Sequence, residues 1–147
     1  SIFKFKPEQI HKISVTTDKE LSLERDQNNQ WHWLKGSGAI NQPNLQSLLK
    51  TLSNLYAMRW LGATTPQQGF DKPQLLVSFT TSPDNKTSYK LTVGAQNNDG
   101  TFCARVDGRE GAFTISGADV NNLKLPVETQ GTASPSPTTA ASPSTTP

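Results

Sequence analysis

Gly69-Phe70-Asp71-Lys72-Pro73 sits between two different periodicities, and reading it decides the fold class. Before it, Leu45, Leu48, Leu49, Leu52 and Leu55 recur at spacings of three and four, which draws one apolar stripe along a helix. After it, Leu75/Val77/Phe79, Tyr89/Leu91/Val93, Phe102/Ala104/Val106 and Phe113/Ile115 alternate as strands do. The glycine and proline make the segment a turn where helix gives way to sheet. The pattern predicts an α+β domain.

Upstream of the helix, Ile10, Ile13/Val15 and Leu21/Leu23 suggest two short strands with a turn at Asp18-Lys19. Asp26 to Asn29 is a second turn, leading into a strand Gln30-Trp31-His32-Trp33-Leu34. Period-two spacing puts Trp31 and Trp33 on one face and His32 and Leu34 on the other. Gly36-Ser37-Gly38 ends that strand. Asn41 is the expected helix N-cap, with Pro43 in the first turn, and Gln46, Lys50, Ser53 and Asn54 fall mainly on the wet face. Ala57 to Leu61 reads as a short strand or an irregular exit. Ser82 to Asn85 and Asp107-Gly108 read as hairpin turns, and Gly94 to Gly100 as a loop. Ser116, with Asp119 three residues on, opens a short helix that buries Val120, Leu123 and Leu125 and stops at Pro126.

The expected architecture is a single domain over 1–127. It has a largely antiparallel sheet of about seven short strands, one main helix packed on a face and a short C-terminal helix. Residues 128–147 form a tail of almost only Ser, Thr, Pro, Ala and Gly. Such a composition cannot bury enough apolar area to offset its ordering entropy, so the tail is expected to be disordered. As a polyproline-like spacer it would reach about 60 Å.

The chain has 147 residues, a hydrophobic content of 33% that the tail dilutes, and a formal charge of +2. No dense Lys/Arg run exists, which argues against a nucleic-acid partner or a polybasic membrane patch. No apolar run approaches the roughly 20 residues that span a bilayer, so this segment is expected not to insert into a membrane.

The residues offer little chemistry, and the expectation is no enzyme, no cofactor and no metal. His11 and His32 are expected on different strands without ligand spacing. Asn97-Asn98-Asp99-Gly100 lacks the carboxylates of a calcium loop, and Asp107 and Glu110 lie in Val106-Asp107-Gly108-Arg109-Glu110-Gly111, which reads as a hairpin turn with a local charge pair, not a glycosidase's carboxylates. No nucleophile elbow, Walker pattern or dinucleotide fingerprint is present. Cys103, the one cysteine, reads as a buried thiol on a strand. Asn85-Lys86-Thr87 fits a glycosylation sequon on a turn, a motif short enough to arise by chance.

The tryptophans are the contact candidates. Trp31 and Trp33 either face the leucine stripe as core or form a platform for a glycan or small molecule. Trp60 beside Arg59 is a frequent pairing at protein interfaces.

The order of Trp31, Leu48-Leu49, Gly69-Phe70-Asp71-Lys72-Pro73, Leu91-Thr92-Val93-Gly94 and Val106-Asp107-Gly108 resembles a bacterial family known as domain of unknown function 4340. Ser116-Gly117-Ala118-Asp119-Val120 with Leu123 resembles its closing helix, so the likeness runs over most of residues 8–125. The chain departs from the family in having Gly36-Ser37-Gly38 where members often carry a proline. The resemblance implies an extracytoplasmic domain, anchored through an N-terminal segment absent from this chain. It also implies an accessory or scaffold role near a membrane transport or surface complex, with a protein partner and no catalytic residues. The expected function is thus protein binding in the envelope. The alternatives are a glycan or small-molecule module using tryptophan, and a hydrolase using Cys103 or His32.

Overall fold

The computed structural model describes residues 2–3, 5–81 and 87–128. The Ser82–Asn85 turn, most of the sequon and the tail from residue 129 lie outside the described residues. The fold is α+β. Eight strands form one antiparallel sheet in the order β3-β2-β1-β5-β6-β7-β8-β4. They are β1 Lys12–Thr16, β2 Glu20–Arg25, β3 Trp31–Lys35, β4 Arg59–Gly62, β5 Leu75–Thr80, β6 Ser88–Gln96, β7 Phe102–Val106 and β8 Ala112–Ile115. The helices are α1 Gln42–Ser53 and α2 Gly117–Leu123, and they pack against each other.

One face of the sheet is apolar and the other polar. Ile13, Leu23, Trp31, Leu75, Val77, Phe79, Leu91, Val93, Ala104, Val106, Phe113 and Ile115 join the helix residues Leu45, Leu48, Leu49, Leu52, Val120 and Leu123 in one buried cluster. Period-two alternation leaves Lys12, Ser14, Glu20, Ser22, Glu24, His32, Ser78, Lys90, Thr92, Arg105, Thr114 and Arg59 on the far face, because each alternates with inward residues along its strand or pairs with another outward residue across the ladder.

The leucine stripe is buried as its spacing predicts, and Leu55 is buried just past the helix end. Asn41 Oδ1 accepts the Asn44 N–H at 3.1 Å, satisfying one of the helix's free donors, and Ser116 Oγ does the same for Asp119 N–H at 3.0 Å on α2. Most of the stability of these short helices comes from docking on the sheet.

One open reading is decided and two expectations are corrected. Ala57–Leu61 does contain a strand, β4, which brings the count to eight. Its residues are mostly exposed because it is an edge, so it lacks the half-buried alternation of inner strands. The segment from Gly94 is not loop at once, for β6 runs to Gln96 before the turn at Asn97–Gly100. His11 lies just before β1, after a 3-10 turn at Pro7–Gln9.

The Gly69 turn has a defined seat. Gly69 caps a 3-10 turn at Pro66–Gln68 with φ +75°, a left-handed conformation that glycine adopts freely. It packs on Ala95, while Gly94 lies against the Gln68 carbonyl. Two landmarks of the sequence, the Gly-Phe-Asp-Lys-Pro turn and the Val-Gly end of β6, therefore meet in space.

Candidate functional site: the β4 edge

β3 and β4 are the two edges of the sheet, and α1 lies between them in the chain. An edge strand carries backbone N–H and C=O groups with no neighbour on one side, which makes it a template for a further strand. The two edges are built differently.

At β3 the side chains are tied. His32 Nε2 is 2.5 Å from Asp26 Oδ2, and Lys35 Nζ is 2.9 Å from Glu20. Trp33 Nε1 donates to the Gly38 carbonyl at 2.8 Å, and Gly36 lies against the indole. Trp31 is 7% exposed, with the Arg25 guanidinium 4.8 Å above its ring. Arg25 in turn donates to the Pro7 and Ile10 carbonyls at 3.1 and 2.5 Å. Trp31 and the half-buried Trp33 thus belong to the core and its margin. This corrects the reading of Trp31 as a contact residue, because its ring offers no free face to a ligand.

At β4 the side chains are open. Among the described residues the exposed large apolar side chains are Leu34, Tyr56, Met58 and Trp60, and three of these four lie within five residues at this edge. Trp60 is 62% exposed and Met58 61%. Trp60 is held edge-to-face against buried Phe113 at 5.2 Å between centroids, so its orientation is fixed from beneath. Arg59, its neighbour, lies on the polar face opposite Thr114.

Beside this edge a hollow of about 540 Å³ is lined by Met58, Arg59, Leu61, Asn97, Asp99 and Thr114, among others. The Asp99 carboxylate accepts from the Thr101 hydroxyl and backbone N–H, at 2.6 and 3.0 Å. Those hydrogen bonds, with a smaller contribution from Arg59, hold its pKa below the usual carboxylate range.

The remaining chemical candidates are not brought together. Among the described residues no group of three or more His, Cys, Asp or Glu could hold a metal ion. Cys103 is buried on the polar side of β7, with its Sγ 3.5 Å from Asn97 Oδ1. His32 belongs to the far edge and is engaged with Asp26, so the two do not form a nucleophile–base pair. Among the described residues no helix is long and apolar enough to cross a membrane.

What the sequence did not reveal is how charge is divided over the polar face. The four ion pairs among the described residues involve only residues 11–35 and Glu128, all beside β1, β2 and β3. Strands β4 to β8 carry no acidic residue, and their charged side chains are Arg59, Lys90 and Arg105. Finding this needed only the strand boundaries, but its meaning needed the sheet order.

Comparison with protein-family models, with curated proteins and with solved structures finds no match.

Proposed function

We propose that this chain is a non-enzymatic protein-binding or scaffold domain of the bacterial cell envelope, accessory to a membrane transport or surface complex, and that β4 is its contact edge. The observation that carries this reading is the grouping of Tyr56, Met58 and Trp60 at a sheet edge with no strand beside it among the described residues. Strand addition suits such an edge: backbone hydrogen bonds supply affinity and alternate side chains supply selection. The envelope setting rests on the family likeness. A glycan platform is the weaker reading, since Trp31 is buried and the Trp33 indole N–H is already used.

The test places a photoreactive residue at Met58, or at Leu34 on the opposite edge as control, in the full-length protein in its own cells. The expected result is a defined envelope protein captured from position 58, not from 34, and lost in the Arg59→Glu/Trp60→Ala variant. Equal capture from both edges, or none from 58, overturns the proposal.

A further inference from the structure

We infer that the occupant of the β4 edge is an extended, acidic strand of a partner protein, with apolar side chains alternating with carboxylates. The inference rests on the reading of β4 as the contact edge and deepens it by giving the partner's chemistry.

The two faces of the edge ask for different things. A strand added beside β4 continues the pleat, so its side chains alternate between the apolar and polar faces of the sheet. On the apolar face it meets Trp60, braced on Phe113. An apolar side chain there covers indole surface that now faces water. On the polar face it meets Arg59. Among the described residues the Arg59 guanidinium makes no ion pair and no hydrogen bond.

The charge behind Arg59 has the same sign. Arg105 lies on β7, two strands inward and two residues along from the Arg59–Thr114–Cys103 row, about 12 Å away. Its Nε is buried without a hydrogen-bond partner. Lys90 lies one strand further, on β6, and it also lacks an ion pair among the described residues. The strands on this side thus offer three cations and no carboxylate, whereas on the β1–β3 side Glu20, Glu24 and Asp26 each already have a basic side chain within reach. A carboxylate opposite Arg59 fills the missing half of that pattern. Arg59 acts at contact distance. Arg105 and Lys90 act over a screened distance and contribute less.

Asp99 bounds the position of that carboxylate from one side. It is the acidic group near Arg59, on the Asn97–Gly100 turn, and it lines the hollow together with Met58. At the other end Gly62 lies against Gly111, on the turn that carries Asp107 and Glu110, so the partner's carboxylate belongs opposite Arg59 and not beyond it at either end. A second copy of this chain fits less well. Antiparallel pairing of β4 with itself about a two-fold axis offers Arg59 no carboxylate from the added strand, which is Arg-Trp-Leu-Gly.

The test uses the 147-residue chain and three synthetic peptides in which Val alternates with Glu, with Lys or with Ser. Binding is followed through tryptophan emission, in which Trp60, the most exposed of the three indoles, is the one a peptide at β4 reaches, and through amide exchange. The Val/Glu peptide is expected to bind most tightly, to weaken as salt rises and to slow exchange of β4 amides. Arg59→Glu is expected to weaken it roughly threefold to tenfold, and Arg105→Glu by less. Equal binding of the Val/Lys peptide, or binding without protection of β4, overturns the inference. So does concentration-dependent dimerisation that protects β4 without peptide, because the occupant is then a second copy. Capture from position 58 in cells, with no Val/Glu binding here, leaves the contact edge standing and removes the acidic partner. Failure of both removes the edge as well.

Discussion

The carbonyl oxygen of Gln68 occupies the space that a side chain on Gly94 would need. The contact joins the 3-10 turn after β4 to the middle strand β6 and fixes where the chain re-enters the sheet. A Cβ at Gly94 would overlap backbone, not the end of a flexible side chain, so one segment must move. Gly94→Ala is expected to destabilise the protein by about 1–3 kcal/mol, read as a fall in the chemical-denaturation midpoint. An unchanged midpoint would mean that the Pro66–Gln68 turn is not seated on β6.

Arg59 and Trp60 should be separable from folding. Trp60 is mostly exposed and its fixed contact is one ring, Phe113. The Arg59→Ala/Trp60→Ala variant is expected to lose about 1 kcal/mol of stability. Trp31→Ala removes a buried ring and is expected to lose about 3–5 kcal/mol. Similar losses for the two would place Trp60 in the core and remove it as a contact.

The carboxylates predict an acid limb of stability. Glu20 is held below its ordinary pKa chiefly by the Lys35 hydrogen bond, Asp26 by the Gln30 backbone N–H, and Glu128 by Lys19. A depressed folded-state pKa means that the stabilisation is present above the unfolded value and is lost as pH falls through the folded one. The melting temperature should therefore drop as pH is lowered below about 4.5. Asp119 runs the other way. Burial raises its pKa, so its ionisation works against folding as pH rises. Glu128→Gln should shallow the acid limb, whereas Asp119→Asn should raise stability most near neutral pH. Melting curves across pH for both variants check the two signs.

Cys103 should be silent toward a thiol reagent in the native protein, because it is 3% exposed and lies inside the sheet. Titration in buffer and then in denaturant measures this. A thiol that reacts as fast when folded as when unfolded would reopen the nucleophile reading.

Elements with a local signature were legible in the sequence. The leucine stripe, the Asn41 cap and the meander from Leu75 to Ile115 each announce themselves within a few residues, and each is present. β4 was ambiguous for a physical reason: an edge strand of four residues, three of them exposed, has no buried side to generate a period. The extension of β6 through Gly94 was hidden because glycine there answers to a neighbour, Gln68, some 26 residues away in sequence. The pairing of β1 with β5, and the placing of β3 and β4 at opposite edges, are non-local and leave no trace in periodicity. Arg59 and Trp60 could be picked out by residue type. That Arg59 joins none of the ion pairs among the described residues could not.

The hydrogen bond from the Ile2 N–H to the Leu55 carbonyl at 2.7 Å has a mechanical consequence. It fastens the start of the described chain one residue before Tyr56, past the C-terminal end of α1. The Ile40–Glu128 bridge fastens the other end just before the N-terminus of the same helix. The two attachment points are thus separated by the length of α1, about 18 Å at 1.5 Å per residue. Opposite ends of one helix thus hold the two ends of the described chain, so fraying of α1 at either end would loosen the segment bound there.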